Sequence, residues 1–331
     1  MEFVLEPGRL TLADMARVAA GAVRALRLAP GAWDAADRAH AFVQQALAEG
    51  RRTYGVNTGV GPLSGATIPD SQIAELQRRM VLSLCVGTGP LLDDATVRQI
   101  LLLKLNTLLL GRSGVSRGLI EALLALYNGG VLPCIPAKGS VGASGDLAPL
   151  AHLVAPLLGE GEVRVAGEIL PAGEGLRRAG IPPYALGPKE GLAIVNGTQV
   201  SLALALSALF ATENLLAGAI VAGAMTTDAA MGSDGPFDAR IQASRGQAGQ
   251  ARIAPIYAEL MAGSAIRASH RDCDRVQDPY SLRCQPQIMG ACLDLLAFAA
   301  ETFRREINSV TDNPLVFAED GEILYGGNFH A

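Results

Sequence analysis

The chain has 331 residues, half of them hydrophobic and few aromatic, and a formal net charge of −5. That length suits one large domain or two medium ones, and the mildly acidic balance argues against a nucleic-acid partner or an anionic membrane surface. Five cysteines without a CxxC pair, and four scattered histidines without HxxxH or HExxH, argue against a disulfide framework or a zinc ribbon and leave no visible metal site.

The first stretch, "MEFVLEPGRLTLADMARVA", lacks a basic region followed by an apolar core, so it does not read as a secretory signal. A cytoplasmic protein is expected. Thr11 stands as an N-cap with Asp14 three positions on, and Gly21 sits near a stop. "DAADRAHAFVQQALAEG" reads as a second helix closed by Gly50. "TYGVNTGVGPLSGATIPD" is too rich in Gly and Pro for helix or strand, and a loop of that length in a compact domain is a functional candidate.

Helical periodicity resumes in "DSQIAELQRRMVLSLCVG", "DDATVRQILLLKLNTLLLG" and "SRGLIEALLALYNGG", and "VLPCIP" reads as an extended connector. "GEVRVAGEILPAGEGLRRAGI" gives the one convincing β signal, a hairpin. The apolar run "GLAIVNGTQVSLALALSALFATENLLAGAIVAGAM" is long enough to span a bilayer, yet it carries Asn196, Thr198, Gln199, Glu213 and Asn214. A central helix buried on all sides is the better reading. Two further long-helix patterns follow, "FDARIQASRGQAGQARIAPIYAELMAG" and "QPQIMGACLDLLAFAAETFRREIN". The chain is therefore expected to be mainly α, with a loop-rich N-terminal domain over residues 1–190 and a central long-helix bundle over 191–331. It stops after a glycine turn at "EILYGGNFHA", so a C-terminally truncated chain is expected.

"GSVGASGDLAP" admits three readings. A phosphate cradle lacks the GKS or GKT ending, and Asp146 would repel a phosphate. A capped turn would use Asp146 or Ser144 as the N-cap of the following helix, whose first turn holds Pro149. The third is backbone cyclisation, in which the Gly145 nitrogen attacks the Ala143 carbonyl carbon and two waters leave. Ser144 then becomes an exocyclic alkene, the 4-methylidene-imidazol-5-one (MIO) electrophile; glycine suits the attacking position because no Cβ blocks it.

The stretch "GSVGASGDLAPLAH" resembles the prosthetic-group motif of the histidine and aromatic amino acid ammonia-lyases. "YGVNTGVGPL" resembles their catalytic-tyrosine loop, "NGTQVSLA" their asparagine motif and "QDPYSLRCQPQIMGA" their tyrosine/arginine motif; "TDNPL" and "GGNFHA" match later segments. The order is the family's own, and the histidine ammonia-lyases are nearest. The resemblance implies a fold of the fumarase/aspartase/ammonia-lyase type and MIO formed autocatalytically from Ala143-Ser144-Gly145, with no metal or nucleotide. It also implies a small amino-acid substrate, no nucleic acid or membrane partner, and a homotetramer whose sites draw on three subunits.

By the same resemblance, Tyr54 is the base that removes the substrate β-proton, and Asn196 holds the substrate or the ring. Arg283 clamps the substrate carboxylate, for which a planar guanidinium fork is suited. Tyr280 belongs with the catalytic residues, and Gln277 and Phe329 line the pocket. The implied reaction removes ammonia from L-histidine to give trans-urocanate.

One pair departs from the pattern. Histidine ammonia-lyases carry Ser-His where this chain has Ser83-Leu84, tyrosine-selective relatives carry His-Leu, and phenylalanine-selective ones Phe-Leu. Leucine offers no hydrogen bond to an imidazole and tolerates an apolar ring. A phenylalanine- or tyrosine-type ammonia-lyase, an aminomutase and a catalytically incomplete helical fragment therefore stand as alternatives. Relatives also continue into a further helical section bearing an acidic residue important for histidine chemistry.

Overall fold

The computed structural model describes residues 2–61 and 64–330, so Pro62 and Leu63 of the tyrosine motif and Ala331 of the last motif lie outside the described residues. The chain forms two compact units, Met1–Leu206 with Arg304–Ala331, and Ser207–Phe303. This division follows contacts, whereas the sequence division at residue 190 followed loop content.

The first unit opens with β1 (Glu2–Leu5), α1 (Leu12–Ala19) and β2 (Ala25–Leu28), the strands pairing in parallel with Glu2 opposite Ala25. Thr11 and Asp14 form a reciprocal capping box at α1, as their spacing predicts. There follow α2 (Asp34–Ala48), α3 (Ile73–Leu84), β3 (Thr88–Leu91), α4 (Asp94–Leu109), α5 (Arg117–Gly129), β4 (Val131–Pro133), β5 (Pro136–Lys138) and α6 (Leu147–Val154). The expected hairpin is β6 (Glu162–Val165) with β7 (Glu168–Pro171), and β4 joins its edge as a third strand. Then come α7 (Ala172–Arg178), α8 (Glu190–Val195) and α9 (Gln199–Ala229), the last belonging to this unit only as far as Leu206.

The second unit continues α9 and adds α10 (Ala239–Arg245), α11 (Ala248–Leu260), α12 (Ala265–Ser269), α13 (Tyr280–Arg283) and most of α14 (Gln285–Glu306). The single helix expected over residues 237–263 is broken, because Gly246 takes a left-handed φ of 73° after α10. Back in the first unit, β8 (Leu315–Phe317) pairs with β9 (Glu322–Leu324).

The hairpin is thus not the only β structure. The further strands, like β6 and β7, have only three or four residues, but β1–β5 pair with strands distant in the chain, so no local strand–turn–strand pattern marks them in the sequence.

The helix buried on all sides is α4 rather than the long apolar run. From Thr96 to Leu109 every α4 side chain except Arg98 is buried, capped at its start by Asp93. The run read as one buried helix is instead α8, wholly buried, then a break at Asn196-Gly197-Thr198, then α9. In the second unit one side of α9 packs Ile220 and Ala224 against Phe237, Ile253 and Tyr257, the two rings stacked 5.1 Å apart. Its other side leaves Leu215 71% and Met225 66% exposed, because this unit supplies nothing to cover it. By length and composition α9 could cross a membrane, and 17% of its most apolar stretch is buried here, so it is not a helix enclosed by this chain.

Candidate active site

The glycine-rich loop between β5 and α6 turns back on itself at Ser144 (φ 58°) and Gly145 (φ 80°). A side chain rarely tolerates this region, and a serine held there marks a constrained turn. Gly145 lies against Gly197, where a Cβ would collide with the Gly197 carbonyl. Only glycine fits. The pairing is made by the Asp146 amide donating to the Gly197 carbonyl (2.8 Å) and the Gly197 amide donating to the Ser144 carbonyl (3.5 Å). It engages neither the Gly145 nitrogen nor the Ala143 carbonyl, the two groups that ring closure would join.

Asp146 does not cap α6 through its side chain, as the capped-turn reading expects. Its carboxylate instead accepts the amides of Val200 (3.0 Å) and Ser201 (2.7 Å) and the hydroxyls of Ser201 (2.6 Å) and Ser140 (2.7 Å). It therefore caps α9, where the helix dipole favours a negative charge. Sequence distance hid this partner, which lies more than fifty residues away.

Asn196 ends α8 and is buried. Its Nδ2 donates to the Asn313 carbonyl (2.8 Å) and to Asp312 Oδ1 (3.3 Å), and its own carbonyl accepts from Lys104 Nζ at 2.6 Å. Asp312 Oδ2 pairs with Lys189 Nζ at 2.7 Å, both side chains 1% exposed. Burial pulls the Lys104 ammonium down to about 7 against the attraction of Asp312, and burial lowers Lys189 as well. Lys104, Lys189 and Asp312 gave no sequence signal as site residues, although Asp312 belongs to the matching "TDNPL" stretch.

Tyr54 is half-buried, and its phenol oxygen accepts the Gly61 amide at 2.9 Å. Its loop is tied to the Asn196 segment by Gln77, a buried α3 residue that sequence reasoning missed. Gln77 Nε2 donates to the Gly55 carbonyl (2.8 Å), while its Oε1 accepts the Leu192 amide (3.2 Å). A polar residue on the apolar face of α3 was the only available hint.

Ser83 and Leu84 close α3; Ser83 is exposed with its hydroxyl on the Met80 carbonyl (2.9 Å), and Leu84 is half-buried. Just beyond, the Gly87 amide donates to His152 Nε2 on α6 at 3.0 Å. Burial holds the His152 imidazole below its ordinary pKa of 6.5. Pairing of β3 with β5 links the same segment to the start of the Ser144 loop. Phe329 is half-buried in a tail moored by the Gly326 amide on Asn313 Oδ1 (3.0 Å) and Asn328 Nδ2 on the Val310 carbonyl (3.3 Å).

The first unit thus joins Ala143, Ser144, Gly145 and Asn196 directly. It links the Tyr54 loop to them through the buried Gln77 hydrogen bonds, the segment after Ser83-Leu84 through the half-buried Gly87–His152 bond, and the Phe329 tail through exposed bonds to Asn313 and Val310. Gln277, Tyr280 and Arg283 belong to the second unit, around an open cavity of about 790 Å³. There the Arg283 guanidinium lies 4.6 Å from the Tyr280 ring centre and its Nε donates to the Asp278 carbonyl (2.9 Å), while Tyr280 is 73% exposed. Among the described residues no group of three or more His, Cys, Asp or Glu could hold a metal ion.

Residues 10–331 match the family described as aromatic amino acid lyase. A histidine ammonia-lyase of Legionella pneumophila (strain Paris) is 54% identical over 328 residues, 99% of this chain and 65% of the relative. Among solved structures, the histidine ammonia-lyase of Trypanosoma cruzi superposes with TM-score 0.88 at 32% identity, covering all of this chain and 62% of that one. The tyrosine aminomutase of Streptomyces globisporus superposes with TM-score 0.92 at 33% identity, covering 100% and 66%. The chain therefore spans just under two thirds of the length of the curated relative.

Proposed function

The chain belongs to the aromatic amino acid lyase family, and on that premise we propose that the protein carrying it is a histidine ammonia-lyase converting L-histidine to trans-urocanate and ammonia. The observation that carries the reading is the turn at Ser144-Gly145. Its left-handed backbone, the glycine forced by Gly197, and the Gly145 nitrogen and Ala143 carbonyl left out of the pairing all suit cyclisation of Ala143-Ser144-Gly145. The MIO ring supplies the electrophilic carbon that engages the substrate.

The remaining work falls to side chains. Tyr54, its oxygen oriented by the Gly61 amide, takes the β-proton; the electron pair of that C–H bond becomes the Cα=Cβ bond as the Cα–N bond breaks. Arg283 binds the substrate carboxylate as a bidentate fork, with Tyr280 and Gln277 beside it. Asn196, fixed through its Nδ2, presents its side-chain oxygen, while Leu84 and Phe329 give apolar contact. The exposed apolar side of α9 supports a homotetramer in which other copies cover it and complete the sites. Five free cysteines suit the cytoplasmic setting that belongs to the same proposal.

Leu84 favours one second reading, a lyase or aminomutase for an apolar aromatic amino acid, because it cannot hydrogen-bond an imidazole. The test incubates purified protein with L-histidine, L-phenylalanine and L-tyrosine and follows urocanate, cinnamate and coumarate by absorbance, with chromatography for β-amino acids. Urocanate as the main product supports the first reading. Cinnamate, coumarate or a β-amino acid supports the second. Intact mass separates both from an inert helical scaffold: ring formation leaves the chain lighter by two waters, and Ser144→Ala restores the full mass and abolishes turnover.

A further inference from the structure

The Asn196–Gly197 peptide is held from behind by a lysine that the proposed chemistry does not use. Lys104 projects from α4, is wholly buried, and donates through Nζ to the Asn196 carbonyl at 2.6 Å. On the other side of the same peptide, the Gly197 amide faces the Ser144 carbonyl oxygen at 3.5 Å. We propose that Lys104 is a positioning residue that polarises the Asn196–Gly197 peptide and so strengthens the Gly197 amide as a donor to the Ser144 carbonyl oxygen. The inference rests on the reading of Ala143-Ser144-Gly145 as the electrophile.

Two physical arguments support it. A buried lysine is costly unless its head group acts on something, and an apolar side chain of similar volume would fill this place at less expense of stability. Because burial pulls Lys104 down to about 7, it acts here as a cation at and below neutral pH. The charged groups that face Lys104 are Asp312 and Asp146, which attract it, and Lys189, which repels it. Its hydrogen bond goes to none of them, and ends on a peptide carbonyl instead. Hydrogen bonds in a chain polarise one another, most strongly where the local dielectric is low. Here the chain runs from Lys104 Nζ to the Asn196 carbonyl, through the peptide to the Gly197 N–H, and on to the Ser144 oxygen. Once the Ser144 side-chain carbon is unsaturated it is conjugated with that oxygen, so a stronger donor there withdraws electron density from the carbon.

The test compares Lys104→Met, Lys104→Gln and Lys104→Arg with the wild-type protein by intact mass, by the near-ultraviolet band of the ring, and by kcat and KM per ring-bearing subunit. In Lys104→Met the two-water deficit is expected to persist, the band to move to shorter wavelength, and kcat to fall about tenfold or more with KM little changed. Lys104→Arg, which keeps a cationic donor, should recover most of the loss; Lys104→Gln should not. If Lys104→Met does not fold, the Gln and Arg pair decides by the same readings. A band and a kcat per ring-bearing subunit unchanged in Met or Gln overturn the inference, leaving only a spacer role. Wild-type protein with no mass deficit and no ammonia release would sink the functional reading first, and this inference with it.

Discussion

The Asp146 carboxylate accepts the backbone amide of Ser201 at 2.7 Å, which fastens the end of the Ser144 loop to the first turn of α9. Three further donors, from Val200, Ser201 and Ser140, complete its shell. A carboxylate that is 1% exposed is tolerated only when its lone pairs are met in this way. The acid thus sets the distance between the strained turn and the Asn196–Gly197 segment.

Replacing Asp146 by Ala strips the α9 start of its acceptor and leaves the buried Val200 amide and the half-buried Ser201 amide unpaired. We expect Asp146→Ala to lose about 2–4 kcal/mol of stability, the scale of buried hydrogen bonds to a charged group. Asp146→Asn, which keeps one acceptor oxygen, should lose less. Denaturant titration of the three proteins checks this, and an Asp146→Ala midpoint equal to wild type would contradict it.

Gly145→Ala places a methyl group against the Gly197 carbonyl at a residue with φ of 80°. The turn must open, which separates the Gly145 nitrogen from the geometry that cyclisation needs. The variant should show the full sequence mass and no turnover. A folded Gly145→Ala protein still lighter by two waters would show that the close approach is dispensable.

How much of this was legible in the sequence depends on the range of the interaction. The α1 cap was readable because Thr11 and Asp14 lie within one turn, and the loops around Tyr54 and Ser144 stood out by their glycine content. The partners of Asp146, Gln77 and Lys104 were not, since each hydrogen bond closes across more than twenty residues and leaves no periodic trace. Nor could composition say which apolar helix is covered. Both α4 and α9 are apolar on most sides, yet only α4 has neighbours all around it within this chain.

Acid should loosen the contact between α6 and the segment after Leu84. His152 Nε2 accepts the Gly87 amide, so it must be unprotonated, and burial lowers the imidazole pKa below 6.5 in the folded chain. Below pH 6.5 the unfolded chain binds a proton that the folded chain refuses, so stability falls as pH drops from 6.5 toward the folded pKa. Above that window the contribution is fully present. Denaturation midpoints measured across the window should show this slope in wild type and a flatter one in His152→Gln. Equal slopes in the two proteins would remove His152 as the cause.

The buried pair of Lys189 and Asp312 separates stability from site geometry. Asp312→Asn leaves the Lys189 cation without its carboxylate, and breaking such a pair costs about 3–5 kcal/mol. Removing both charges, as in Lys189→Met with Asp312→Leu, eliminates the stranded cation and should restore part of that loss. Activity should not return with it. Asp312 also accepts from Asn196 Nδ2 and from the Asn313 amide, and leucine can do neither, so Asn196 would lose one of its two anchors. Denaturation paired with ammonia-release assays therefore has a distinct expected pattern: the double variant more stable than Asp312→Asn, and no more active. A double variant as unstable as Asp312→Asn would mean that the carboxylate acts mainly through its hydrogen bonds to Asn196 and Asn313. Full activity in either variant would mean that Asn196 keeps its place without Asp312.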